Sequence, residues 1–366
     1  MMRHVASSPL LLVVLAVGCL PDPALETPTL FQEVEIIEIA NREDGLRGPR
    51  DLDFNPDVPG ELWVINRTDD AAITIRNVGT SEQTALRRKD PYALHFMEET
   101  SSISFSTGMQ FGTCGESRNT YDNQAAPNDF MGPALWSATD DVFAISNPEA
   151  VDENGFDLGS HLDMMHETPL CMGISWVEAN VYFVFEGLTN SIARYDFKED
   201  HGPGFDFHGD GTVERFTDIG VSYVEDIPSH IVFDAETGLL YVADTGNRRV
   251  LVVDVSTALQ VNEFRGFETM VQESEGATVT TLIGDEFGWD KPSGLALQDG
   301  ILYVTDAGKA DIHAFDLEGN HIDTIGLSLA EDSLMGVKVN PEGDSLYIAD
   351  FEGDRVFRLQ GLAIPE

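Results

Sequence analysis

Near its C-terminal end this 366-residue chain repeats one pattern three times, and that repetition limits what it can fold into more than any other feature. The stretch Pro228-Ser-His-Ile-Val-Phe-Asp is followed by Leu240-Tyr-Val-Ala-Asp244. Pro292-Ser-Gly-Leu-Ala-Leu-Gln is followed by Ile301-Leu-Tyr-Val-Thr-Asp306, and Leu334-Met-Gly-Val-Lys-Val-Asn by Leu346-Tyr-Ile-Ala-Asp350. A third alternating segment completes each unit: 250–254, 312–316 and 356–359. Short runs of Tyr, Val, Ile and Phe bounded by Gly, Asp and Pro are strands and turns, so each unit is a small antiparallel sheet. Sheets repeating along a chain stack or close into a ring.

Three earlier units fit the template more loosely. They open at Pro49-Arg-Asp-Leu-Asp-Phe, Phe130-Met-Gly-Pro-Ala-Leu-Trp and Cys171-Met-Gly-Ile-Ser-Trp, with second strands 62–66, 142–146 and 181–185. One column of the template reads Asp51, Gly132, Gly173, His230, Gly294, Gly336, and the next strand supplies Asn66, Ser146, Phe185, Asp244, Asp306, Asp350. The paired positions lie 12 to 15 residues apart, whereas successive units are spaced by 41 to 81. Insertions therefore fall between units, where loops tolerate them.

These units resemble NHL repeats, most closely at Leu240-Tyr-Val-Ala-Asp-Thr-Gly-Asn-Arg-Arg-Val250, and the resemblance spans roughly 33–360. It implies an all-β, six-bladed β-propeller with four-stranded antiparallel blades around a channel. The last unit ends with three strands, and a lone strand at 34–40 is available to complete it. That pairing removes an exposed sheet edge. The loops leading into the innermost strands gather on one face, the top, which is the default binding site of such a ring. Two long stretches, 108–130 and 159–171, are expected there, in neighbouring blades 2 and 3.

The N-terminus reads as an export signal. Arg3 and His4 precede an apolar run at 9–17, too short to span a bilayer. Leu15-Ala16-Val17-Gly18-Cys19 then resembles the lipobox of bacterial lipoproteins, with Ala16 where the family usually has Leu. This divides the chain into a signal peptide at 1–18, a proline-rich tether at 19–32 carrying lipid on Cys19, and a propeller at 33–366. Ordinary secretion with cleavage nearby is the alternative; the lipid anchor places the mature chain in the bacterial cell envelope, and either way it is exported. With Cys19 modified, Cys114 and Cys171 remain, and an oxidising compartment favours a disulfide between them over two separate thiols. The net charge of −43, from 21 Lys and Arg against 64 Asp and Glu, argues against nucleic acid, whose phosphates require basic residues.

Four constellations carry possible chemistry. His161, Asp163 and His166, joined by His230, have the side chains of a zinc-type site at the top face, although two histidines five apart do not form a zincin helix pair. Loop hydrogen bonding is the other use for these histidines. Asp51 and His230 are the ionisable members of the inner column, from opposite blades, and suit acid–base work or plain channel lining. Asp196, Asp200, Asp206 and Asp210, in a segment that also holds His201 and His208, offer oxygen ligands for calcium without EF-hand spacing; this segment is expected on the bottom face. Met131, Met172 and Met335 are packing residues or, less simply, copper ligands.

The resemblance also implies specific sites. Some NHL propellers are peptidyl-hydroxyglycine lyases whose zinc histidines directly follow the proline that opens an inner strand. That position here holds Arg50, Ser229 and Ser293, with His230 one residue later, so that ligand set does not carry over. Related lactonases hold calcium in the channel through Glu, Asn and Asp, for which Glu33 or Glu35 with Asp51 are the counterparts. Two functional readings follow: a monomeric, lipid-anchored scaffold gripping a protein, peptide or small molecule at the top face, and a metal-dependent hydrolase or lyase at the channel mouth. On the first, the Cys19→Ala variant leaves the membrane fraction in detergent-free washes; a variant that remains membrane-bound contradicts the anchor.

Overall fold

The computed structural model describes residues 30–118, 130–152, 154–205 and 207–363. Residues 1–29, which hold the expected signal peptide, Cys19 and most of the expected tether, lie outside the described residues, as does Asp206.

Strand β1 (Glu35–Ala40) precedes the first blade. Blade 1 is β2 (Pro49–Phe54), β3 (Leu62–Asn66), β4 (Ala71–Arg76) and β5 (Thr84–Arg88). Blade 2 is β6 (Thr100–Phe105), β7 (Gln110–Gly115), β8 (Ala134–Ser137) and β9 (His161–Met164). Blade 3 is β10 (Cys171–Glu178), β11 (Val181–Glu186), β12 (Ser191–Asp196) and β13 (Thr212–Phe216). Blade 4 starts with β14 (Ile231–Asp234), β15 (Leu239–Asp244) and β16 (Arg249–Asp254). A hairpin of β17 (Leu259–Arg265) and β18 (Met270–Glu275) intervenes before its fourth strand, β19 (Thr278–Ile283). Blade 5 is β20 (Pro292–Gln298), β21 (Ile301–Asp306), β22 (Asp311–Asp316) and β23 (His321–Gly326). Blade 6 is β24 (Leu334–Val339), β25 (Ser345–Asp350) and β26 (Arg355–Gln360), completed by β1.

The chain is thus a six-bladed β-propeller, and its closure is the expected one. Strand β1 pairs antiparallel with β26, from Glu35 opposite Gln360 to Ala40 opposite Val356. The inner strands β2, β6, β10, β14, β20 and β24 neighbour one another in order, and β24 returns to β2. Apolar residues of facing blades fill the spaces between sheets; Trp63, Phe105, Phe111, Trp136 and Phe143 form one such cluster between blades 1 and 2. Met131, Met172 and Met335 belong to three different clusters, so packing accounts for all three.

Blade 2 corrects the sequence reading. Its inner strand is β6, not 130–136, and 142–146 is not a strand. Residues 134–137 form the third strand, β8. The column position that Gly132 was expected to fill belongs to Ser102, which pairs with Cys114 as Asp51 pairs with Ile65 and Gly173 with Phe185. The inner strand reads Thr-Ser-Ser-Ile-Ser-Phe, too polar for a buried strand unless its hydroxyls find partners, so it lacks the apolar signature of the other units. The hydroxyls do find partners. Ser101 Oγ donates to the Cys171 carbonyl at 2.7 Å, Ser102 Oγ donates to Asp51, and Ser104 Oγ accepts from Trp176 N at 2.9 Å. Each of these bonds joins blade 2 to a neighbouring blade.

The Cys114–Cys171 disulfide is present, with Cα atoms 5.4 Å apart. Its setting differs from the two top loops expected. Cys114 lies within β7 and Cys171 begins β10, so the bond staples blade 2 to blade 3 inside the ring wall, where both sulfurs are buried.

The hairpin of β17 and β18 leaves blade 4 and docks on blade 3, where β18 runs parallel to β13 from Thr212 opposite Met270 to Phe216 opposite Ser274. It covers the edge that β13 would otherwise expose.

The disulfide closes a loop with a sequence separation of 57 residues. Replacing both cysteines by serine is expected to lower stability by about 2–5 kcal/mol in denaturant titration, as the loop-closure argument gives. An unchanged midpoint would show that the staple adds nothing.

Candidate functional site

The inner strands approach so closely that their column residues meet across the axis. Asp51 on β2 and His230, just ahead of β14, come from opposite blades, and His230 Nε2 lies 3.7 Å from Asp51 Oδ2. Both are buried, at 5% and 4% exposure, so the channel is sealed at this level. Asp51 is already well supplied with donors: its Oδ2 accepts from Ser102 Oγ and Ile103 N, both at 2.9 Å, and its Oδ1 accepts from Leu52 N at 2.8 Å. Burial pushes the His230 pKa down, with Asp51 and a hydrogen bond to the Ser101 backbone opposing the shift. The imidazole, whose Nε2 makes no hydrogen bond, thus stands beside a carboxylate that already accepts three; this is also the acid–base pair that the sequence suggested. One layer further along the axis, Lys338 on β24 stands 3.2 Å from Asp53 on β2. Burial raises the Asp53 pKa while Lys338 opposes the change.

Where the inner strands begin, a cavity of about 280 Å³ opens at the mouth. Its lining includes Arg67, Glu99, Glu116, Arg118, Phe130, Leu170, Leu188, Tyr223, Glu225 and Asp226. These side chains come from loops that precede β6, β10 and β14 and follow β3, β7 and β11, so blades 1 to 4 contribute. Arg67 reaches across the ring to Asp226 at 2.7 Å, and the Arg118 guanidinium sits 3.8 Å from the centre of the Phe130 ring. Beneath the floor, Arg50 is fully buried and ion-paired to Glu116, while its Nε and Nη1 make no hydrogen bond. Burial lowers the Arg50 pKa and Glu116 counteracts it.

The histidine set expected at the top face is not brought together. His161 is buried on the outer strand β9, stacked on Phe96 with ring centres 3.6 Å apart, and its Nδ1 lies 3.0 Å from the Leu158 carbonyl. His230 belongs to the axis. Glu33 precedes β1 and Glu35 lies on it, and β1 is the outermost strand of blade 6, far from Asp51 in the sheet order; the calcium counterpart built on them is therefore corrected. The second calcium set also disperses. Asp196 pairs with Lys198, and Asp200 accepts from Gln110 Nε2 at 3.1 Å. Asp210 turns instead toward His201, 3.5 Å away.

Two constellations expected on opposite faces are in fact one. The segment after β12 runs back along the free edge of β9, with His201 N donating to the Leu162 carbonyl at 3.1 Å and Gly204 N to His161 at 2.8 Å. An unpaired outer strand attracts such backbone, which explains why this segment is not an isolated acidic turn. Asp163 and His166 thereby meet His201, His208 and Asp210 at the outer rim, where Glu268 of the β17–β18 turn joins them. Burial raises the Asp163 pKa, opposed by His208 and His201. Sequence reasoning missed Glu268, because the hairpin that carries it belongs to blade 4 by sequence and to blade 3 by pairing.

No family model matches the chain, and no curated protein matches it. Solved structures similar to it include a luciferin-regenerating enzyme, with a TM-score of 0.57 and 14% identity over 90% of this chain and 96% of that one. A streptogramin B lyase gives 0.50 and 10% over 91% and 99%. An auxiliary nutrient binding protein from Bacteroides thetaiotaomicron VPI-5482 gives 0.50 and 13% over 86% and 69%. At such identities the likeness shows the fold alone.

The depressed His230 pKa has a consequence for stability. Between its folded value and the unfolded value near 6.5 the unfolded chain binds a proton that the folded chain does not, so stability is present above pH 6.5 and falls as pH drops through that window. His313, pushed down to about 4 by burial, acts in the same direction. Thermal denaturation of wild type and His230→Asn between pH 7 and pH 4.5 should show a shallower loss in the variant; equal slopes would contradict a neutral, buried His230.

Proposed function

We propose that this chain is an exported, lipid-anchored binding propeller that takes a short peptide or similar amphoteric molecule at the top-face mouth. The observation that supports the reading is the mouth cavity itself. It places Arg67 and Arg118 beside Glu99, Glu225 and Asp226, with Phe130, Leu170, Leu188 and Tyr223 between them. A peptide presents the matching set: a carboxylate for arginine, an ammonium for carboxylates, and apolar side chains between. Its volume lies at the lower end of ligand pockets, which suits two or three residues rather than a folded partner. The disulfide and the interblade Ser101–Ser104 bonds stiffen the wall beneath, and a preformed site lowers the ordering cost of binding.

The similar structures serve different ends, a nutrient binding protein and a lyase among them, so the ring itself does not choose between binding and catalysis. The Asp51–His230 approach supports a second reading, a hydrolase or lyase acting at the floor of the mouth. Against it stand the three donors that already occupy Asp51.

Differential scanning fluorimetry against a tripeptide panel separates the two. The binding reading expects aromatic-containing tripeptides to raise the melting temperature without being consumed. Arg67→Ala and Tyr223→Ala should each weaken that binding about tenfold, roughly 1.4 kcal/mol. Peptide turnover that vanishes in His230→Asn, or binding indifferent to both mouth substitutions, contradicts it.

A further inference from the structure

We propose that the outer rim between blades 2 and 3 is a metal centre in which Asp163, His201 and Asp210 hold one divalent ion of the zinc class. The three side chains come from two blades. Asp163 projects from β9, and the segment after β12 brings the other two against it by the backbone pairing already described. His201 Nε2 stands 3.9 Å from Asp163 Oδ2 and 3.5 Å from Asp210 Oδ2. In a tetrahedral shell with ligand bonds of roughly 2.0–2.1 Å, neighbouring donors are about 3.3 Å apart. The two histidine distances are close to that spacing, and all three donor atoms lie within 4.8 Å of one another.

A second observation points to a ligand. Asp163 has no exposed surface, yet its Oδ2 has no hydrogen-bond partner; His201 Nε2 and Asp210 Oδ1 have none either. Leaving a buried carboxylate oxygen unbonded is costly, and here Asp163 Oδ2 and the equally unbonded His201 Nε2 face each other. A cation satisfies both at once, with Asp210 Oδ2 beside them as the third ligand. The other Asp163 oxygen is committed, accepting from Met164 N at 2.8 Å and facing His208 Nδ1 at 3.5 Å.

The neighbouring trio of His166, His208 and Glu268 orients this site. His166 Nδ1 lies 2.6 Å from Glu268 Oε1, and Oε2 of the same carboxylate accepts from His166 N at 3.0 Å, so that pair is closed on itself. His208 lies between the two groups, its Nε2 3.8 Å from Glu268. Carboxylate–histidine pairs behind a metal ligand are the usual means of fixing its orientation. His208 is accordingly a positioning residue, and one ion rather than two is expected. An imidazole with two carboxylates favours zinc, cobalt or manganese over calcium, which would need six to eight oxygens. Three protein ligands leave a position for water, and the partial exposure of His201 and Asp210 lets solvent reach it. Since Glu268 belongs to the β17–β18 hairpin, the centre ties blade 2, blade 3 and an extension of blade 4 together.

The test uses the full exported chain purified without chelator. Elemental analysis should find one zinc-class ion per chain. After EDTA treatment, added Zn²⁺ should bind saturably and raise the melting temperature. His201→Ala and Asp210→Asn, both at partly exposed positions, should each weaken binding at least tenfold, while Asp200→Asn in the same segment leaves it unchanged. Bound Co²⁺ in the wild-type protein should show the visible absorption of a four-coordinate site, a readout that needs no variant. Absence of saturable Zn²⁺ and Co²⁺ binding, binding retained by both variants, or calcium held in preference to zinc would each overturn the proposal.

Discussion

Six inner strands must share one axis, and the rest of the molecule follows from how closely they do so. A methyl group added at Gly173 would sit 2.2 Å from the Ser229 carbonyl oxygen, and one at Gly294 would sit 2.4 Å from that of Met335. At Gly336 it would meet Asp51 Oδ1 at 2.4 Å. Glycine is needed in half of the column because backbone of a neighbouring blade, or at Gly336 the Asp51 carboxylate, fills the space a side chain would take. Of the remaining members, Ser102 bonds to Asp51, and His230 N donates to the Ser293 carbonyl of the next blade. The axis is therefore sealed by protein contacts, and open, ligand-sized space is displaced to the mouth above it.

The second column, at the ends of the second strands, has a different task. Asp244 accepts from Ser222 N, Asn247 Nδ2 and Arg249 Nε; Asp306 accepts from Asp290 N and Lys291 N; Asp350 accepts from Arg355 Nε and Gly353 N. All three carboxylates hold the loop leading to their own inner strand, Asp350 through Ser333 Oγ, and Asp244 and Asp350 also anchor the turn beside them. Charge-assisted bonds of this kind are stronger than neutral ones and explain why an acidic residue recurs at a buried position. The repeat was visible in the sequence because this anchoring residue recurs, although its role was not.

Legibility varied with the source of each blade's stability. Blades 4 to 6 announced themselves through apolar second strands and the recurrent Asp. Blade 2 did not, because Ser101, Ser102 and Ser104 satisfy their hydroxyls across blade boundaries, a compensation with no local signature. Gly132 imitated the column for another reason: a Cβ there would collide with the Met165 carbonyl of the outer strand. The rim cluster was half legible. Asp163, His166 and Asp210 stood out as metal-ligand types, but their meeting depends on the free edge of β9 drawing in the 201–204 backbone. Glu268 was hidden by a hairpin whose strand β17 is exposed throughout and whose docking partner lies in another blade. The cysteine pair was readable from the number of cysteines and the expectation of export, while its place in the wall was not.

The central claim is that protein contacts close the axis while the metal chemistry of this chain belongs at the rim. Crystals of protein purified without chelator, measured at the zinc absorption edge, test it most directly. An anomalous peak among Asp163, His201 and Asp210, with Asp51 and His230 in direct contact and no peak between them, is the predicted result. A peak on the axis between Asp51 and His230, with none at the rim, would contradict the account.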